Sequence, residues 1–85
     1  MTKRDKLIKR FLSTPKDFKY SELETILDYF GYMEIKKGNT SGSRRAFVSE
    51  KTKHIIRLHK PHKKDILKQY QIYYLITELK KEELL

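Results

Sequence analysis

No cysteine occurs among the 85 residues, which excludes a disulfide framework, Cys-ligated zinc, iron–sulfur chemistry and a cysteine nucleophile, and suits a reducing compartment. Long apolar runs are missing as well. Met1-Thr2-Lys3-Arg4-Asp5-Lys6 leads into a mixed helix pattern, so neither a signal peptide nor a membrane span is expected, and a cytoplasmic location is. With hydrophobic residues at 38%, the chain can build one compact core but no large cavity around an organic cofactor, and no cofactor is expected. Glycine is scarce, at three residues, and forms neither a P-loop nor a dinucleotide fingerprint; turn formation accounts for Gly38 and Gly42. Acidic residues are the last shortage, since 11 Asp and Glu face 20 Lys and Arg, leaving a formal charge of +9.

The chain does have aromatics, six Tyr and four Phe, with many Leu and Ile, so it can bury enough apolar surface to offset ordering entropy. One small basic domain over residues 1–85 is expected, with 1–14 as a helical N-terminal extension. The charge is unevenly spread. Residues 34–64 hold 10 basic and 2 acidic residues, a balance of +8, whereas 1–33 balance at +2 and 65–85 at −1. A merely solubilised surface spreads its charge, and a concentrated excess points to a polyanion site, with nucleic acid as the leading partner.

Periodicity predicts the elements. Leu7, Ile8, Phe11 and Leu12 share a helical face that Ser13-Thr14-Pro15 ends. Ser21, with Glu24 at the reciprocal position, is expected to cap a second helix carrying Leu23, Ile26, Leu27 and Phe30, which Gly31 ends. The period then shortens. Tyr32 to Lys37, Ser43 to Ser49 and His54 to His59 read as strands, the last two joined by a hairpin connection at Glu50-Lys51-Thr52-Lys53. Alternation puts Arg45 and Phe47 on one face of the second strand and Arg44, Ala46 and Val48 on the other. In the third strand it separates Ile56 and Leu58 from Ile55, Arg57 and His59. Asp65 is expected to cap a turn before a last helix on Ile72, Leu75, Ile76 and Leu79. The fold class is therefore α+β, in the order α-α-β-β-β-α, with helices on one face of a three-stranded antiparallel sheet.

A helix ending in Phe30-Gly31-Tyr32 is followed by the Lys37-Gly38-Asn39-Thr40-Ser41-Gly42-Ser43-Arg44 loop and strand. The Phe47 strand and then Leu58-His59-Lys60-Pro61-His62 precede a C-terminal helix. In this order and spacing, from about Pro15 to Leu79, the chain resembles the HicA family of toxins, mRNA interferases of toxin–antitoxin pairs. The resemblance implies a fold similar to double-stranded-RNA-binding domains, metal-independent cleavage of mRNA, and a HicB-like antitoxin as protein partner. Many HicA members carry a catalytic His directly after the Gly-Ser pair, and this chain has Arg44 there. The later His-x-x-His loop is kept, so catalysis has either shifted to that loop or been lost.

Metal-free RNA cleavage needs a base for the 2′-hydroxyl, an acid for the leaving oxygen and cations for the phosphorane. Histidine, with an unperturbed pKa of about 6.5, suits both proton transfers, and His59 and His62 are the candidates. Arg44, Arg45 and Arg57 are the charge stabilisers, and Lys36, Lys37, Lys60, Lys63 and Lys64 flank the site to grip the backbone. The plainer reading is that both histidines brace the loop around Pro61. Ser43 reads as a phosphate or backbone contact, because no His-Asp arrangement surrounds it. His54 lies on the face of Ile56 and Leu58 and reads as structural. No metal site is expected, since a third ligand beside His59 and His62 is missing and nearby lysines repel a dication. Tyr70, Tyr73 and Tyr74 are expected to edge the core, leaving Tyr32 as the candidate for base stacking. A non-catalytic RNA-binding module on the same fold is the alternative function. A DNA-binding protein is the weaker third, because no helix pair concentrates the basic residues.

Overall fold

The computed structural model describes residues 2–35, 44–61 and 65–85, and its elements follow the order α-α-β-β-β-α. Thr2 opens α1 (Lys3–Leu12), its hydroxyl accepting from the Asp5 amide at 3.2 Å. Phe11 is fully buried against Phe18, with Leu7 and Ile8 packed beside the core. Arg10 fastens this helix to the next segment. Its guanidinium donates to Glu22 Oε2 at 2.7 Å and to Asp17 Oδ1 at 2.8 Å, and lies 5.2 Å from the Phe18 ring centroid.

The second helix, α2 (Tyr20–Tyr29), starts earlier than its expected Ser21 cap. Glu22, not Glu24, reaches back, and its Oε1 accepts from the Lys19 amide at 3.0 Å. The early start is fixed from outside the helix: the Tyr20 amide donates to the Asp65 carbonyl at 2.8 Å, which holds Tyr20 at the first helical position. Leu23, Ile26 and Leu27 are then fully buried. Gly31 follows the helix with φ +81°, the left-handed conformation that a terminating glycine supplies without a Cβ penalty.

Strands β1 (Tyr32–Glu34), β2 (Arg44–Ser49) and β3 (Ile55–His59) form one antiparallel sheet in that order. β1 is followed by one further ladder bond, from the Ile35 amide to the Ala46 carbonyl at 2.7 Å, and Lys36 and Lys37, the rest of the expected strand, lie outside the described residues. The β2–β3 connection is the expected hairpin, closed by Ser49 N–H to the His54 carbonyl and Lys53 N–H to the Ser49 carbonyl, both at 2.9 Å. Tyr32, Phe47, Ile56 and Leu58 are buried on the helix side of the sheet.

Asp65 lies in a turn ahead of the last helix. It sits at φ 57°, and the segment around it pairs with the run into α2 through a bridge between Lys19 and Ile66 and a 2.8 Å bond from the Leu67 amide to the Phe18 carbonyl. The last helix, α3 (Gln69–Lys81), begins after Lys68, whose amide donates to Gln71 Oε1 at 3.0 Å. Ile72, Leu75 and Leu79 are fully buried. Tyr70, Tyr73 and Tyr74 do not edge the core, because the helical turn that buries Ile72 and Leu75 points them outward. Among the described residues no helix is long and apolar enough to cross a membrane.

Candidate nucleic-acid interface

The period of two in a strand divides the sheet residues between two environments. One side packs under the helices. The other carries Met33, Ile35, Arg44, Ala46, Val48, Ile55, Arg57 and His59, all exposed or half-buried. The register aligns Arg44 with His59 and Ala46 with Arg57. Directly opposed residues have Cβ atoms about 4.5–5.5 Å apart and diagonal ones about 7–8 Å, so Arg44, His59 and Arg57 come together at one corner of this side. They line a groove of about 510 Å³ whose floor is Ile35, Ala46 and Ile55. Among the described residues no carboxylate lines it.

The other expected site residues are distributed differently. Arg45 turns to the helix side, where its Nε lies 3.7 Å from Glu34 Oε2 and its Nη1 donates to the Arg44 carbonyl at 2.9 Å. Arg45 nevertheless contributes to the lining of the groove beside Arg44. Lys60 places its Nζ 5.4 Å from the centroid of the Tyr20 ring, beyond the end of β3. Lys36, Lys37, Ser43, His62, Lys63 and Lys64 lie outside the described residues.

His54 has the structural role its strand face predicts. Its Nδ1 is 2.7 Å from the Tyr32 hydroxyl and its Nε2 is 3.2 Å from Glu78 Oε1, so each ring nitrogen has a hydrogen-bond partner. This chain ties β1 to α3 across the start of β3. The Glu78 carboxyl is held below its ordinary value by the hydrogen bond from Lys81 and by that from His54. Burial raises the Tyr32 phenol, and Tyr32 is only 3% exposed, so it is not the stacking residue expected from its place at the head of the sheet. Burial also raises the Tyr20 phenol, whose hydroxyl has no partner among the described residues.

Exposed aromatic side chains lie on α2, with Tyr29 36% exposed, and on α3, with Tyr70 67%, Tyr73 59% and Tyr74 39% exposed. Their signal was in the helical spacing, for residues 72, 75 and 79 claim one side of the helix and leave 70, 73 and 74 opposite. Among the described residues no three His, Asp or Glu side chains converge as a set of metal ligands. Compared with protein-family models, with curated proteins and with solved structures, the chain matches none.

Proposed function

We propose that this chain is a HicA-like endoribonuclease, the cytoplasmic toxin of a toxin–antitoxin pair, which cleaves mRNA without a metal. One observation carries the reading: Arg44 and His59 stand directly opposite on the open side of the sheet with Arg57 diagonal to Arg44, around a groove that no carboxylate lines among the described residues. A phosphodiester bound there meets two guanidinium groups, which neutralise the charge that grows on the phosphorane. The His59 imidazole takes one proton transfer, and His62, three residues on, takes the other. Met33, 56% exposed, and the half-buried Ile35, Val48 and Ile55 add an apolar strip to this cationic face. An antitoxin of HicB type with acidic and apolar surface would cover both.

The second reading, a non-catalytic RNA-binding module, is favoured by Arg44 standing where a HicA-type site has histidine. The two separate on incubating labelled single-stranded RNA with the purified chain in EDTA, beside His59→Ala, His62→Ala and Arg44→His. The nuclease reading expects cleavage by the wild type and losses of about 10²-fold or more in either alanine variant. Binding without cleavage supports the module, and a rate gain in Arg44→His marks a degenerate family site. Cleavage undiminished in both alanine variants removes the chemistry from this loop.

A further inference from the structure

We infer that the outer edge of β3 docks an extended segment of a partner protein, alternately acidic and apolar, which adds to the sheet as a fourth strand and closes one wall of the groove. Its consequence, exclusion of RNA from that groove, rests on the RNA reading above. The hydrogen-bond ladder fixes which backbone groups are left over. The Ile35 amide bonds the Ala46 carbonyl and the Ser49 amide bonds the His54 carbonyl, so Ala46 turns its backbone towards β1 while Arg45, Phe47 and Ser49 turn theirs towards β3. Their partners Leu58, Ile56 and His54 are thereby engaged, and Ile55, Arg57 and His59 direct their N–H and C=O groups away from β2. β3 is the last strand of the sheet. The His59 carbonyl accepts from Gln71 Nε2 at 2.9 Å, whereas among the described residues nothing bonds the outward backbone groups of Ile55 and Arg57.

Two donors and two acceptors, alternating along the edge at i and i+2, are the complement of another peptide strand. The phosphates of RNA only accept, and leave both carbonyls unmet. Side chains then select the strand. On the groove side it runs past Arg57, with Arg44 one strand further in and, among the described residues, no carboxylate in the lining, so acidic residues fit opposite Arg57. On the helix side it meets α3. Gln71, Tyr74 and Glu78 share one stripe of that helix, at i, i+3 and i+7. The bonds of Gln71 to the His59 carbonyl and of Glu78 Oε1 to His54 Nε2 lay this stripe along β3 from its end to its start. Tyr74, 39% exposed, therefore stands beside the open stretch and offers an aromatic surface to the alternate, apolar residues of the added strand. A second copy of β3 in the same place would set two Arg57 side chains opposite or diagonal to each other, which like charge disfavours.

The probe is the peptide acetyl-Thr-Val-Glu-Val-Glu-Val-Thr-amide, beside a second peptide with Lys in place of each Glu. Binding is followed by NMR hydrogen exchange at the Ile55 and Arg57 amides and by displacement of a labelled single-stranded RNA. The acidic peptide is expected to slow exchange at both amides about tenfold or more and to release the RNA, and the Lys peptide to do neither. Arg57→Glu should weaken the acidic peptide about tenfold, and Tyr74→Ala about threefold. Both replaced residues are exposed, and circular dichroism confirms that each variant keeps its fold. Acidic peptide that binds while both amides exchange at their free rates overturns the added strand, as do equal protection by the Lys peptide and no binding at millimolar peptide. RNA bound by the chain in any of these cases leaves the RNA reading standing. Protection of both amides in a chain that binds no RNA keeps the edge site and overturns the RNA reading. A wild-type dimer in sedimentation that protects the same amides without peptide makes the edge a self-pairing surface and overturns the proposal.

Discussion

Single residues carry two conformational and electrostatic commitments that can be measured separately. Gly31 holds φ +81° with no atom within 4 Å of the place a Cβ would occupy, so a side chain there meets no clash and only the backbone objects. Gly31→Ala should lower stability by about 1 kcal/mol and Gly31→Asn by less, in urea unfolding. Glu78 is a pH-dependent tie. Its native pKa is lowered by Lys81 and His54, so the stability it contributes is complete above the unfolded carboxylate value and is lost as pH falls through the lowered native one. Thermal unfolding should find Glu78→Gln less stable than the wild type at neutral pH, with the gap narrowing on acidification. His54 was legible in the sequence because strand alternation set it beside Ile56 and Leu58. Tyr32 was not, because alternation does not reveal that its hydroxyl finds a partner 22 positions away.

At the scale of elements, α1 belongs to the core through Phe11 and to α2 through Arg10. Phe11→Ala should cost about 3–5 kcal/mol, the range for truncating a buried aromatic ring. Arg10→Ala should cost about 1 kcal/mol, since its two ion pairs are partly solvated and the Phe18 contact adds little more. Existence and type of every element followed from periodicity, whereas two starts did not. The Ser21–Glu24 pair has the form of a capping box, yet the Asp65 carbonyl engages the Tyr20 amide and the helix begins there. A backbone bond from a distant segment leaves no trace in the local pattern. The turn at Asp65 was legible, but the pairing of its neighbours with residues 18–20 was not, for the same reason.

For the whole molecule, +9 is informative only once the fold divides it. Arg44 and Arg57 share the open side of the sheet with His59, while Arg45 faces the helices with Glu34 and Arg10 is held by two carboxylates. Sequence alternation already separated Arg44 from Arg45, but an ion pair with Glu34 depends on the β1–β2 register. Binding of single-stranded RNA should weaken linearly in a plot of log affinity against log salt. R44A/R57A should flatten that slope by about 1.4, at about 0.7 per lost phosphate contact. Arg45→Ala should change the slope less, because Glu34 already pairs with its guanidinium.

The pairing of residues 18–20 with 65–67 has a consequence in time. Lys19 and Ile66 are 47 positions apart, so their bridge closes a long loop around the entire sheet, whereas the β2–β3 hairpin needs only the short connection at residues 50–53. Closure entropy favours the hairpin as an early event and the clasp as a late one. Leu67, buried at the clasp, then has little native contact in the folding transition state. Leu67→Ala should accelerate unfolding in stopped-flow measurements while leaving the refolding rate nearly untouched. The molecule would come apart first where its two distant segments meet, freeing α3 from the sheet before the strands separate.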